Sequence, residues 1–194
     1  MPESESVRQR ILEATYACVA RWGISKTTIE DAAREAGMSR ATVYRHFPGG
    51  RDELIGATIA WEELRFFSRL YDELHDEPTL TEVLERGLPF AHRAILGHEV
   101  LQRVLETEPD LLLPKLTVET TRVTALISGF LVPYLAGEQI VAGIDVHQAA
   151  DLLARMILSY ITSPGRWDLT DPTQVSDLVR TEMLSGVIAS SGSA

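Results

Sequence analysis

Several kinds of chemistry are excluded by what this 194-residue sequence lacks. It has a single cysteine, Cys18, so the chain can form no internal disulfide and no cysteine zinc cluster. Such low cysteine usage is typical of a reducing, cytoplasmic setting. The longest run without a charged residue, residues 123–137, is 15 residues long, short of the roughly 20 that a membrane-spanning helix needs. The N-terminus lacks an apolar stretch behind a basic start, so we expect no signal peptide and a cytoplasmic protein with no membrane partner.

Motifs for catalysis and for metal binding are also missing. The sequence has no Gly-x-Ser-x-Gly turn and no glycine-rich phosphate loop. His92 and His98 are separated by about 240° around a helix, so they do not share a face. We therefore predict no catalytic residue, no metal site and no cofactor, and a protein that is not an enzyme.

Charge is distributed unevenly along the chain, which has a net charge of −10. Residues 1–50 hold 7 Lys+Arg and 6 Asp+Glu, whereas residues 51–194 hold 11 and 22. A polyanion would therefore have to approach the near-neutral N-terminal segment and avoid the acidic remainder.

Apolar residues recur every three or four positions near the N-terminus, which predicts short amphipathic helices. The first helix ends at Gly23. Either Thr27 or Thr28 can cap the second helix, with an acidic residue three positions on as the returning carboxylate. The second helix carries alanines on its apolar face and ends at Gly37. Helices commonly end at a residue in the left-handed backbone conformation, which glycine adopts readily.

A third helix begins directly after Ser39, which can cap it, and is stopped by Pro48-Gly49-Gly50. Val43 and Phe47 are one turn apart and can face a core, while Ala41, Tyr44 and Arg45 point away from them. Two short helices joined by a tight glycine-containing turn, with polar residues facing outward on the second of them, predict a helix-turn-helix, and the first helix of the chain supplies the third wall of its core.

The remaining residues also predict helices, with no alternating pattern typical of strands. We therefore predict an all-α fold with two domains, a helix-turn-helix domain at 1–50 and a helical ligand-binding and dimerisation domain at 51–194. The predicted helices of the second domain run from Arg51 to His75, Leu80 to Leu96, Glu99 to Thr107, Pro114 to Ala136, Val146 to Thr162 and Pro172 to Ile188.

Residues 8–47, RQRILEATYACVARWGISKTTIEDAAREAGMSRATVYRHF, resemble the N-terminal domain of the tetracycline-repressor (TetR) family of bacterial transcription regulators. The resemblance implies an N-terminal DNA-binding domain, a helical ligand-binding domain and a homodimer formed mainly by the last two helices. It also implies contacts to double-stranded DNA from a set of residues in and before the third helix: Thr27, Thr28, Ser39, Arg40, Ala41, Thr42, Tyr44, Arg45 and His46.

Within that set, the family pattern places phosphate contacts on Thr28, Tyr44 and His46. It places base contacts on the third helix, where arginine can bond guanine in a bidentate fork. Two positions depart from the pattern. The lysine that many relatives carry after Phe47 is missing, and only Arg51 stands nearby; Glu30 occupies a position where relatives can carry a basic residue.

The acidic segment 51–194 has apolar residues that suit either a core or the wall of a ligand cavity. Such residues more commonly belong to a core. The predicted pocket residues are Trp61, Phe67, Phe90, Phe130 and Met156. Broad apolar faces on the last two helices predict a four-helix dimer interface, although a buried terminal helix looks similar. The predicted interface residues are Leu153, Met156, Ile157, Tyr160, Leu178, Val179 and Met183.

We therefore expect a ligand-responsive regulator, acting as a repressor, that binds a palindromic operator as a homodimer and is released by a small-molecule effector. The alternative is a helical small-molecule sensor or scaffold that has lost DNA binding.

Overall fold

The computed structural model describes residues 2–189, and it describes the side chains of residues 6–113 and 120–189. Helices dominate the described residues, which confirms the all-α prediction. Among them, no helix combines the length and the apolar character needed to cross a membrane. The helices are α1 (Pro2–Trp22), α2 (Ile29–Glu35), α3 (Arg40–His46), α4 (Gly50–Leu74), α5 (Leu80–Leu96), α6 (Glu99–Thr107), α7 (Pro109–Leu135), α8 (Val146–Thr162) and α9 (Pro172–Leu178).

The C-terminal helix is shorter than predicted. The α-helical part of α9 ends at Leu178 and continues only as a π-helical turn, Val179–Met183. Beyond it the chain turns, and Ile188 forms an antiparallel bridge with Ile140. The prediction of one helix from Pro172 to Ile188 was wrong, because Ser185-Gly186 favours helix poorly and backbone groups near Ile140 offer alternative partners.

The described chain divides into two compact units. Unit 1 contains the N-terminal part of the chain through Arg69 together with His98–Leu116, and unit 2 contains Leu70–Gly97 together with the part from Thr117 onward. These units do not coincide with the boundary predicted at residue 50, because Leu54 and Ile55 at the start of α4 are buried within unit 1. The functional division into two domains stays a prediction.

Unit 1 has two apolar clusters that both include residues of α1. The first cluster closes the three N-terminal helices around Val43 and Phe47 and consists of Ile11, Leu12, Ala14, Ile29, Ala32, Ala33, Ala36, Val43, Phe47 and Leu54. The second places Val19 and Ile24 against Val104 of α6.

Cys18 is fully buried, and burial raises the pKa of its thiol, which suits a small core residue better than a redox sensor.

Unit 2 is built on α5, which packs against α8 and α9. The sequence predicts a kink at Gly87-Leu88-Pro89, and Pro89 does lie inside α5. A Cβ at Gly87 would lie 3.2 Å from Cδ1 of Leu74, so glycine here lets α5 approach α4 closely within this unit. Nδ1 of His92 lies 2.8 Å from the carbonyl oxygen of Ile161, which ties α5 to the end of α8.

Candidate nucleic-acid interface

The second helix begins with a complete capping box. The Thr28 hydroxyl accepts a hydrogen bond from the Asp31 N–H at 3.1 Å, and the Asp31 carboxylate accepts one from the Thr28 N–H. Hydrogen bonds from Thr28 and Arg34 hold the pKa of the Asp31 carboxyl below its usual range. The cap fixes the start of α2 and keeps the exposed Thr28 at its N-terminus, where anions are favoured.

The third helix presents the predicted outward face. Ser39 caps it by accepting a hydrogen bond from the Thr42 N–H at 3.1 Å. Val43 is fully buried, whereas Tyr44 is 42% exposed and Arg45 is also exposed. The helix therefore has one face in the core and a polar face in solvent, as its sequence predicts.

Ala41 and Ser39 are exposed, and Thr42 and His46 are partly exposed on the flanks of the same helix. Arg40 is exposed but paired, with its Nη2 atom 2.7 Å from Oε1 of Glu30. Arg45 makes no ion pair with any residue that the structure describes. The two arginines predicted to read bases thus have different surroundings.

Thr27 does not belong to this surface. Its side chain is 1% exposed, and its hydroxyl donates to the carbonyl oxygen of Gly23 at 2.7 Å. A buried hydroxyl that is already bonded to the backbone cannot reach a phosphate, so we correct the prediction and keep only Thr28 at this position.

Arg51 is committed to the interior of unit 1. Its Nε donates to the carbonyl oxygen of Thr27 at 2.8 Å, and its Nη2 donates to that of Ile24. Its Nη1 lies 3.4 Å from Oδ1 of Asp52. The guanidinium therefore supports the turn between α1 and α2, and it does not stand free in place of the missing lysine.

Glu108, between α6 and α7, binds backbone N–H groups of the same turn. Its carboxylate accepts hydrogen bonds from the N–H of Ile24 at 2.6 Å and from the N–H and hydroxyl of Ser25. Partial burial alone would raise the pKa of this carboxyl, but these hydrogen bonds and the charge of Lys26 hold it below its usual value. The sequence pattern around Glu106, Glu108 and Asp110 predicts a solvated acidic run, and for Glu108 that prediction was wrong.

Gly23 is required where the carboxylate approaches. Its φ of +84° lies in the left-handed region, and a Cβ there would lie 2.8 Å from Oε1 of Glu108. Gly23, Glu108 and Arg51 together define what we call the turn clamp, which holds residues 23–28. The sequence shows a helix stop at Gly23 but gives no sign that Glu108 binds there.

The predicted pocket residues lie in different units. Trp61 and Phe67 belong to unit 1, and Phe90, Phe130 and Met156 are half-buried in unit 2. Trp61 lines a surface groove of about 460 Å³ in unit 1, and the other residues lining it are Gln9, Glu13, Tyr16 and Arg65. Trp61 is therefore placed on an open groove of the N-terminal unit, and the pocket assignment stays a prediction.

The predicted dimer residues divide into two groups. Leu153, Leu178, Val179 and Met183 are fully buried within the single chain. They form part of the core of unit 2, so we correct their assignment to a partner contact.

Met156 and Ile157 are only partly buried, and Leu152, one turn before Met156, is 42% exposed. The Tyr160 hydroxyl bonds the Glu182 carboxylate within the chain, and that bond raises the pKa of Tyr160. The exposed face of α8 therefore retains apolar surface that the chain itself does not cover.

The three-helix core and the outward face of α3 define a helix-turn-helix domain. Residues 11–58 match the model of the family described as bacterial regulatory proteins, tetR family. This match confirms the resemblance identified from residues 8–47.

Known proteins are similar to the chain at two levels. The HTH-type transcriptional regulator SrpR of Pseudomonas putida is 40% identical over 58 residues, which cover 30% of this chain and 27% of SrpR. A putative TetR-family regulator from Mesorhizobium loti has a TM-score of 0.63 at 20% identity, over 96% of this chain and 98% of that one. FadR from Bacillus subtilis in complex with stearoyl-CoA has a TM-score of 0.58 at 18% identity, over 92% and 98%. The family match thus covers residues 11–58, the match to SrpR spans less than a third of either chain, and the structures show a shared fold.

The turn clamp predicts a specific pH dependence of stability. Replacing Glu108→Gln puts an amide against N–H donors, so we expect the free energy of unfolding at neutral pH to fall by about 1–2 kcal/mol. Because the folded pKa of Glu108 lies below its ordinary value of 4.5, the stabilisation is fully present above that value. It is lost as the pH falls through the folded pKa. Urea unfolding at neutral and acidic pH measures the difference between wild type and variant.

Glu106→Gln is the matched control, because Glu106 is exposed and only two residues away. It removes the same charge without touching the turn. A Glu108→Gln effect that equals the control, or that persists unchanged in acid, would contradict the role of the carboxylate.

Proposed function

We propose that this chain is a cytoplasmic, ligand-responsive transcription regulator that represses by binding a palindromic DNA operator as a homodimer. The observation that carries the proposal is the polar, exposed face of α3, held on a buried core by Val43 and Phe47. The match of residues 11–58 to a family of bacterial regulatory proteins supports it.

The chemistry of α3 suits the major groove of duplex DNA. Arg40 and Arg45 supply guanidinium groups for guanine O6 and N7, and Ala41 supplies a methyl group for contact with thymine. Thr28, Tyr44 and His46 supply donors for flanking phosphates, which orient the helix without reading sequence. This division of roles follows from where the side chains lie and from the resemblance to the family.

The N-terminal helix-turn-helix domain of one chain, which we call the head, has few unpaired cations among its described residues. Two heads on a dimer are therefore needed for firm binding to DNA. The second contact then becomes intramolecular and gains from a high effective concentration. The exposed apolar residues Leu152 and Met156 on α8 are the surface that we propose for the partner subunit.

Release by an effector requires a ligand that binds two states of the protein with different affinity. FadR of Bacillus subtilis, which shares the fold, was solved with stearoyl-CoA. We propose an apolar small molecule for this chain, bound in unit 2 beside Phe90, Phe130 and Met156, which are half-buried and lie on three different helices.

For DNA binding, we expect a selection from random duplexes to yield a palindrome bound by wild type in a steeply salt-dependent manner. Arg45→Ala should weaken binding to that palindrome by about 1–3 kcal/mol per head and relax base preference at one position of each half-site. Fluorescence anisotropy at several salt concentrations measures both.

Arg103→Ala, an exposed arginine of α6 outside the interface, is the charge-matched control. Flat and negligible binding of wild type at low salt would favour the alternative, a helical sensor or scaffold that has lost DNA binding. Equal losses in the two variants would remove Arg45 from the base contacts.

For the dimer, we expect sedimentation equilibrium of wild type to give twice the monomer mass at micromolar concentration. Leu152→Glu places a charge on the proposed contact and should shift the protein toward monomer while leaving its helical content unchanged. Leu64→Glu, at a 55% exposed position on α4, is the control and should remain dimeric. A monomeric wild type, or no difference between the variants, would refute this interface.

For the effector, we expect a screen of apolar molecules by thermal shift to find a ligand that also lowers operator affinity. Phe130→Ala should weaken that ligand and leave operator affinity without ligand unchanged. A ligand that stabilises the protein but never alters operator affinity would contradict the switch.

A further inference from the structure

The two arginines of α3 have different electrostatic surroundings. The ion pair between Arg40 and Glu30 joins the first turn of α3 to the first turn of α2, and both side chains remain about half exposed, at 60% and 47%. Arg45 has no carboxylate partner among the described residues. Of the two arginines proposed to contact bases, Arg40 therefore has a carboxylate beside it and Arg45 does not.

We propose that Glu30 is a specificity-determining residue of the DNA interface, which positions Arg40 and restrains it from binding phosphate. This inference rests on the proposed function and deepens it. It assigns a role to a residue whose charge, taken alone, argues against DNA binding.

The physical reason lies in the difference between the two acceptors that DNA offers. Phosphate is anionic and is repelled by Glu30, whereas guanine O6 and N7 are neutral acceptors that a nearby carboxylate does not repel in the same way. A carboxylate beside Arg40 therefore weakens every phosphate contact of that arginine more than a base contact. The result is lower affinity for random DNA and a larger ratio of specific to non-specific binding.

The pair also restricts the position of the guanidinium. An arginine side chain loses much rotamer freedom when it binds, and a side chain already held loses less. The recorded ion pair engages Nη2, which places the group beside the start of α3. In helix-turn-helix proteins, the N-terminal residues of the recognition helix contact base edges. The start of α3 is the corresponding position here.

A purely structural role explains the pair less well. Exposed ion pairs contribute little to stability, and the two helices are already joined by a buried core that includes Ile29, Ala33 and Val43. The neighbouring Asp31 is engaged by the Thr28 cap and by Arg34, so α2 does not need Glu30 for its cap.

The test is Glu30→Gln in the full-length protein, which removes the charge and keeps the shape. We expect affinity for a random duplex to rise about two- to fivefold per head, with a salt slope steeper by roughly 0.9 per head as Arg40 becomes free to neutralise a phosphate. Affinity for the palindrome selected with wild type should change less, so the specificity ratio falls.

Arg40→Ala is then made in both backgrounds. In the Glu30→Gln protein it should remove the added salt slope, and in wild type it should leave the random-duplex slope nearly unchanged while relaxing preference at one base pair. Glu13→Gln, an exposed charge removal on α1 of the same unit, is the matched control for net charge. Thermal midpoints of all variants report whether the head stays folded.

The outcomes separate the two levels of the proposal. If wild type binds DNA but Glu30→Gln matches Glu13→Gln, the inference is overturned and the proposed function stands. If Glu30→Gln weakens the selected and random duplexes equally, Glu30 supports the interface only as structure, and the inference is again overturned. If wild type binds no duplex at low salt, the proposed function itself fails.

Discussion

The candidate nucleic-acid interface depends on the hydrogen bonds that hold the turn between α1 and α2. Glu108 accepts the N–H groups of Ile24 and Ser25, and Arg51 donates to the carbonyl groups of Ile24 and Thr27. Backbone groups left without partners in such a turn would cost free energy, so a carboxylate that accepts from its N–H groups and a guanidinium that donates to its carbonyl groups stabilise one conformation. That conformation sets where Thr28 caps α2, and α2 in turn supports α3.

Several other arginines of unit 1 are also engaged within the chain. Arg21 pairs with Glu35, Arg34 pairs with Asp31, Arg10 donates to the carbonyl oxygen of Ala36, and Arg51 is committed to the turn. Each of these arginines already has a carboxylate or a carbonyl oxygen as its partner within the chain. Charge alone therefore gives this segment little attraction for a polyanion, which is why the proposed function relies on base contacts and on a second subunit.

The sequence predicted those features that arise from neighbouring residues. The capping and helix-stopping residues predicted the bounds of α5, α6 and α8 as the structure has them. The spacing of Val43 and Phe47 predicted the buried face of α3 correctly. Features that depend on distant residues were missed. Glu108 meets Ile24 across 84 positions, and no local pattern marks that contact. The prediction of a continuous last helix failed because its end pairs with Ile140, far away in the sequence.

Apolar patterning also shows where sequence reasoning reaches its physical limit. A stripe such as Leu178, Val179 and Met183 looks the same whether it faces the chain's own core or a partner subunit, because both environments exclude water equally. Burial within the chain decides between them, and here it assigns the stripe to the interior of unit 2. On α8, by contrast, Leu152 is exposed and Met156 is partly exposed, so the chain's own core does not account for this apolar surface, and the proposed contact with a second copy rests on it.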